Sequence, residues 1–138
     1  ADVWIINSDN EILIQKRSSR KKLEPNVWAM TGGSVILGEN SLDTIVREAK
    51  EELNIDIDKA NLKLITKFRT GNVWIDTYIL KCDYDISKMK FQEDEVSDAK
   101  WATWKEIDDL VKNEQFIKHR WEFVNKFIKK EIEKNEQE

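Results

Sequence analysis

The apolar residues of this chain come in short bursts before they settle into longer periods. Val3-Trp4-Ile5-Ile6 is a β-rich run, read as a strand from Val3 to Asn7, and Ser8-Asp9-Asn10 is a turn cluster. Glu11 to Arg17 reads as a partner strand with Ile12, Leu13 and Ile14 mostly inward, followed by a polar, basic loop from Ser18 to Asn26. Val27 to Met30 is a short strand ending at Thr31-Gly32-Gly33, and Ser34 to Leu37 is predicted as another. The period then lengthens. Leu42, Ile45, Val46, Ala49 and Leu53 form one stripe of a helix over Ser41 to Leu53. Asn40 or Ser41 can cap its start, Asp43 suits the first turn, and Asn54 suits a left-handed stop.

Leu62 to Thr70 and Val73 to Cys82 flank Gly71-Asn72, a hairpin signal. Asp83 to Glu95 is a polar loop with one apolar patch, and Asp98 to Thr103 is a short strand carrying Trp101. Trp104 to Asn113 is a short helix. Gln115 to Lys134 is predicted as one long amphipathic helix, since Ile117, Trp121, Val124, Ile128 and Ile132 are spaced by four, three, four and four. The fold class expected from this interleaving is α/β, of the α+β type.

Composition narrows the picture. At 138 residues, with a single Pro and no linker-like stretch, residues 1–138 are expected to form one domain. The first residues are already strand-like, so a few preceding residues are expected to be missing. A net charge of −4 argues against binding a nucleic-acid polymer, which usually requires a basic face. One cysteine, Cys82, excludes an internal disulfide framework. No apolar run is long enough for a membrane span and no signal peptide is visible, so a cytoplasmic address is expected.

The chemistry concentrates in one helix turn. Glu48, Glu51 and Glu52 stand at i, i+3 and i+4, on one face. Bare carboxylates at that spacing repel, and a hard divalent cation taking oxygen ligands turns repulsion into binding. A solvated helix face would explain the three acids alone. It would not explain Gly33 and Glu39 at fixed distances before Arg47-Glu48-Ala49-Lys50-Glu51-Glu52-Leu53-Asn54-Ile55.

That segment, Gly33 to Ile55, resembles the Nudix box: Gly, five residues, Glu, seven residues, then Arg-Glu-apolar-any-Glu-Glu-any-Gly-apolar. Gly33, Glu39, Arg47, Glu48, Ala49, Glu51, Glu52 and Ile55 are in register, and Asn54 stands where the pattern has Gly. The resemblance implies a Nudix fold, with a mixed β-sheet sandwiched between helices. It implies Mg²⁺- or Mn²⁺-dependent hydrolysis of a nucleoside diphosphate linked to another group. Oxidised nucleoside triphosphates, nucleotide sugars, ADP-ribose and dinucleoside polyphosphates stay open as substrates, and the small domain with no added module points to a (modified) nucleoside triphosphate. Glu48, Glu51, Glu52 and the Gly32 carbonyl would hold the metal, and Arg47 would pair with Glu39 or orient Glu48. The general base would be Glu48 or an acid of the Glu93–Glu95 loop, with Glu95 preferred, also as a metal ligand.

Arg17 would contact substrate phosphate or be a plain surface charge. Trp74 and Phe68 would stack on a base or pack in the sheet. His119 would have no part in catalysis, Cys82 would be a small buried hydrophobe, and the helix carrying Trp121 would dock on the domain of a monomer or, as the minority reading, form a homodimer contact. Two alternatives stay open. One is a nucleotide-binding sensor, which usually loses box acids that are all present here. The other is an isopentenyl diphosphate isomerase-like enzyme, whose Cys and His find no counterpart between Ala1 and Lys81.

Overall fold

A computed structural model describes residues 1–137. Seven strands form one sheet: β1 Asp2–Ile6, β2 Ile12–Arg17, β3 Trp28–Ala29, β4 Thr31–Gly32, β5 Lys63–Thr70, β6 Val73–Lys81 and β7 Val96–Ala102. Three α-helices join them: α1 Ser41–Leu53, α2 Trp104–Lys112 and α3 Trp121–Gln137. The main path runs β3-β2-β1-β6-β5, with β4 added on β1 and β7 on β2. β1 and β6 are parallel and the other pairs antiparallel, so the sheet is mixed as expected.

Alternation along β1 divides the interior in two. Val3 and Ile5 join Leu13, Tyr78 and Leu80 against Ile45, Ala49 and Leu53 of α1. Trp4 and Ile6 face the other way, into a core with Ile12, Ile14, Ile79, Ile107 of α2, and Trp121, Val124 and Ile128 of α3. Trp4 sits between the rings of Phe116 and Trp121, with centroids 6.0 and 5.5 Å away. The sheet is thus covered by helices on both faces.

Helix α1 has the limits its sequence predicts. The Asn40 side chain accepts from the Asp43 amide at 2.9 Å, and the Asp43 carboxylate accepts from the Asn40 amide at 3.2 Å. Asn54 closes the helix at φ 56° and ψ 40°, its N–H reaching the Ala49 and Lys50 carbonyls. The left-handed position normally given to Gly is therefore held by Asn, which tolerates it best among side-chain-bearing residues.

Three boundaries differ from expectation. Ser34 to Leu37 is not a strand but an exposed loop, with Leu37 fully exposed. Its apolar residues have no neighbouring strand to pair with. The long terminal helix begins at Trp121, not Gln115. Positive φ angles at Glu114 and His119 break the chain on either side of Phe116 and Ile117. Those two residues extend along the free edge of β3 instead, through Trp28 N–H to the Gln115 carbonyl at 2.9 Å and Ile117 N–H to the Trp28 carbonyl at 3.0 Å. Strand β7 starts at Val96, two positions before the expected Asp98, because its register on β2 reaches Arg17 through a bulge.

Candidate active site

The second half of α1 faces β2, the Thr31–Gly33 turn and the 92–95 loop across a cavity of about 450 Å³. Gln15, Gly32, Gly33, Arg47, Glu48, Glu51, Glu52 and Glu95 line it. The 92–95 loop is held there by main-chain bonds. Gln92 N–H donates to the Glu52 carbonyl and Ser18 N–H to the Glu95 carbonyl, each at 2.9 Å. An acid more than forty positions from the helix is thereby fixed beside its end.

Glu52 is the buried member, with only 7% of its surface exposed. Its carboxylate accepts from the Gln15 side-chain amide, and the Gln15 carbonyl oxygen accepts from the Thr31 hydroxyl at 3.1 Å. Burial pushes its pKa up to about 8, and the nearby Glu48 and Glu95 charges push the same way against the Gln15 hydrogen bond. Gly33 makes room for Glu48: a Cβ at Gly33 would overlap the Glu48 carboxyl group. Here the glycine of the motif serves close approach rather than an unusual φ.

Arg47 organises the opposite wall. Its Nη2 and Nε donate to Glu39 at 2.8 and 3.1 Å, and its Nη1 donates to Glu48 at 2.9 Å and to the half-exposed Glu51 at 3.3 Å. Glu39 also accepts from Thr44 at 2.7 Å. The Arg47 guanidinium and that hydroxyl hold the Glu39 carboxyl down to about 2. Arg47 both pairs with Glu39 and steadies Glu48, so one side chain ties the loop before the helix to the acids on it.

The four acids expected to share the site are on this one cavity, with Gly32 at its edge. Among the described residues no three of them converge tightly enough to cage an ion. Each has a partner instead: Glu48 and Glu51 share Arg47, Glu52 has Gln15 and Glu95 has Lys21. The donor set of carboxylates plus a main-chain carbonyl fits a hard divalent cation. A cation there would offset the desolvation that burial imposes on the Glu52 carboxylate and its repulsion by Glu48 and Glu95.

Arg17 lines the cavity too, its guanidinium donating to the Glu24 and Leu23 carbonyls at 3.0 and 2.9 Å. Trp74 lies outside this cavity, at the rim of an adjoining one, and is 70% exposed, so it is no core aromatic. Phe68 packs instead, stacked on Phe123 at 4.3 Å. His119 is exposed and faces Glu122 at 3.2 Å, and Cys82 is half-buried rather than buried.

Three residues escaped the sequence reading. Gln15 shares the α1 side of β2 with Leu13, so the period of two could have flagged a polar residue facing inward. Lys21 was one cation among several in its loop. Asp2 is buried on β1 at 2% exposure, and burial raises its carboxyl to about 6. Thr77 and the Trp4 indole stand close enough to favour its charged form, yet neither reaches hydrogen-bond geometry with it.

A family model described as the NUDIX domain matches residues 1–127. An uncharacterised Nudix hydrolase of Listeria monocytogenes is 33% identical over 116 residues, covering 83% of this chain and 69% of that protein. An isopentenyl-diphosphate Delta-isomerase of Cutibacterium acnes is more distant, 23% identical over 133 residues, covering 85% of this chain and 65% of that protein. The fold matches a bifunctional NMN adenylyltransferase/ADP ribose pyrophosphatase of Francisella tularensis, solved with AMP and a Mn ion, at a TM-score of 0.74 and 19% identity, over 94% of this chain and 40% of that one.

Proposed function

The chain belongs to the Nudix family and is a pyrophosphohydrolase by that membership, and we propose that its substrate is a nucleoside diphosphate linked to another group, with nucleoside triphosphates preferred, cleaved with Mg²⁺ or Mn²⁺. The observation that carries this reading is the meeting of Glu48, Glu51 and Glu52 from α1 with Glu95 from a distant loop on one cavity.

Glu48, Glu51, Glu52 and the Gly32 carbonyl would hold the cation, and Glu95, on the same cavity, is placed to join them. Bound there, it supplies positive charge to the phosphate oxygens and lowers the pKa of an attacking water. Glu95 approaches from outside the helix and takes the proton from that water. Lys21, paired with Glu95, orients its carboxylate. Arg47 keeps Glu48 from turning away. Arg17, at the cavity wall, donates to a phosphate oxygen of the substrate, and Trp74 contacts its organic portion. Gln15 fixes the Glu52 carboxylate through the Thr31 hydroxyl relay.

Incubating the protein with nucleoside triphosphates, nucleotide sugars and dinucleoside polyphosphates in Mg²⁺, Mn²⁺ or chelator tests the reading. Release of a nucleoside monophosphate, dependent on the metal, is expected. Tight binding without turnover would instead make the domain a sensor. The isomerase reading lacks its chemistry: no Cys or His precedes Cys82, and the single His is on the surface, away from the cavity.

A further inference from the structure

The acidic cavity opens into a second one of about 640 Å³, sharing with it Arg17, Met30, the Gly32–Ser34 turn and Ile117. This second chamber lies where a group attached to a pyrophosphate would extend. Its lining is unlike the first. Asp2, Trp74 and Arg120 supply its polar and aromatic character, and Met30 and Ile75 its apolar surface.

Asp2 is the unusual member. It is 98% buried by its 2% exposure, and neither carboxylate oxygen has a hydrogen-bond partner among the described residues. Buried polar groups are nearly always satisfied, and an unpaired buried carboxylate is costly. Alternation on β1 and its register opposite Thr77 place it on the same side of the sheet as Trp4, toward Ile117 and α3. Arg120 makes no ion pair among the described residues and donates only to the His119 carbonyl, at 3.0 Å. Trp74 leaves its ring exposed. The chamber thus has a buried, unpaired carboxylate in its wall beside the Thr77 hydroxyl and the Trp4 indole, two cations, Lys118 and Arg120, with donors unused among the described residues, and an aromatic face on which a flat ring can stack.

A ligand edge that satisfies both polar groups has a ring N–H beside a carbonyl. Guanine, hypoxanthine and uracil present that edge. Adenine and cytosine present an unprotonated ring nitrogen beside an amino group, which sets a lone pair against the carboxylate. We propose that Asp2 selects nucleotides whose base carries a ring N–H next to a carbonyl, accepting from that N–H while Arg120 donates to the carbonyl oxygen and Trp74 stacks on the ring. This rests on the reading of the acidic cavity as a nucleotide pyrophosphate site.

Nucleoside monophosphates test it without a phosphoanhydride to cleave. Titrating the protein in Mg²⁺ with GMP, IMP, UMP, AMP and CMP by calorimetry should show the first three binding at least about tenfold tighter than the last two. Equal binding of GMP and IMP assigns the contact to the ring N–H and carbonyl; a large GMP advantage adds the 2-amino group. Asp2→Asn should abolish or reverse the preference, since an amide can donate to a ring nitrogen, and should not lower the unfolding temperature. Arg120→Ala should weaken GMP and UMP about tenfold and leave AMP unchanged. Equal affinities in the parent protein, an unchanged preference in Asp2→Asn, or no binding of any of the five would overturn the proposal. An Asp2→Asn protein that unfolds would make Asp2 structural and overturn it, unless Arg120→Ala alone shows the selective loss. Metal-dependent turnover of the pyrophosphate panel is a separate measurement, so the hydrolase reading can survive failure here.

Discussion

Replacing Glu52 by Gln should make the metal-free protein more stable while stopping its chemistry. Glu52 is buried, and its carboxyl is raised from 4.5 to about 8 in the folded state. Between those values the folded protein holds a proton that the unfolded chain has released. Stability therefore falls as pH rises through that window, and the whole loss is present above about pH 8. Each pKa unit is worth about 1.4 kcal/mol, so the rise corresponds to an effect on the order of a few kcal/mol, lessened by relaxation around the acid. Glutamine mimics the protonated form and can still accept from the Gln15 amide. For a domain of this size, 1 kcal/mol moves the unfolding temperature by roughly 3–5 °C. The variant should melt about 5 °C or more above the parent at pH 8 in chelator, with the gap shrinking toward pH 6. Asp2 is largely ionised above its raised value of about 6 and titrates alike in both proteins. The difference thus isolates Glu52. Thermal unfolding followed by circular dichroism at several pH values, with and without Mg²⁺, checks it. Added Mg²⁺ should stabilise the parent more than the variant, and turnover of the variant should fall by several orders of magnitude. A variant less stable than the parent at pH 8, or a gap that does not vary with pH, would refute the burial argument.

Other changes act on single contacts. Gly33→Ala should displace the Glu48 carboxyl, cutting turnover and Mg²⁺ affinity about tenfold or more with little loss of stability, because the flexible end of a side chain can yield where backbone could not; calorimetric Mg²⁺ titration beside a melting curve separates the two. Arg47→Lys keeps the charge but loses the forked contact to Glu39, so turnover should fall while the fold survives, as steady-state kinetics and circular dichroism would show. Asn54→Ala places a Cβ-bearing residue without a polar side chain at φ 56° and should cost about 1 kcal/mol in denaturant unfolding, with kinetics unchanged. Glu95→Gln should remove the acidic limb of the pH–rate profile if Glu95 is the base, and leave Mg²⁺ affinity within about threefold.

Local signals carried most of the element assignments. Helix α1 announced both ends through Asn40, Asp43 and Asn54, because caps act within four residues. The Gly71 turn did the same for the hairpin, where Thr70 pairs with Val73. The errors came where a distant partner decides. Val35-Ile36-Leu37 has strand composition but nothing to pair with, whereas Phe116 and Ile117 continue a helical period yet are drawn along the edge of β3. Period alone cannot see either sheet edge.

The site shows the same division. The motif spacing marked the acids of α1, but not what makes their chemistry unequal. Glu48, Glu51 and Glu52 look alike in sequence, yet they end with an arginine partner, at the cavity mouth, and buried against an amide. That inequality comes from β2, from the Gly33 turn and from the 92–95 loop hung on the helix end by main-chain bonds. Asp2 extends the argument. A residue left buried without a partner has no local signature at all, since its cost appears only when β1 is laid between β4 and β6. The buried charge at Glu52 and the missing partner at Asp2 are both unfavourable in the protein alone. They line two adjoining cavities that share the Gly32–Ser34 turn, so a ligand carrying cation-bound phosphates in one and an N–H in the other would relieve both at once.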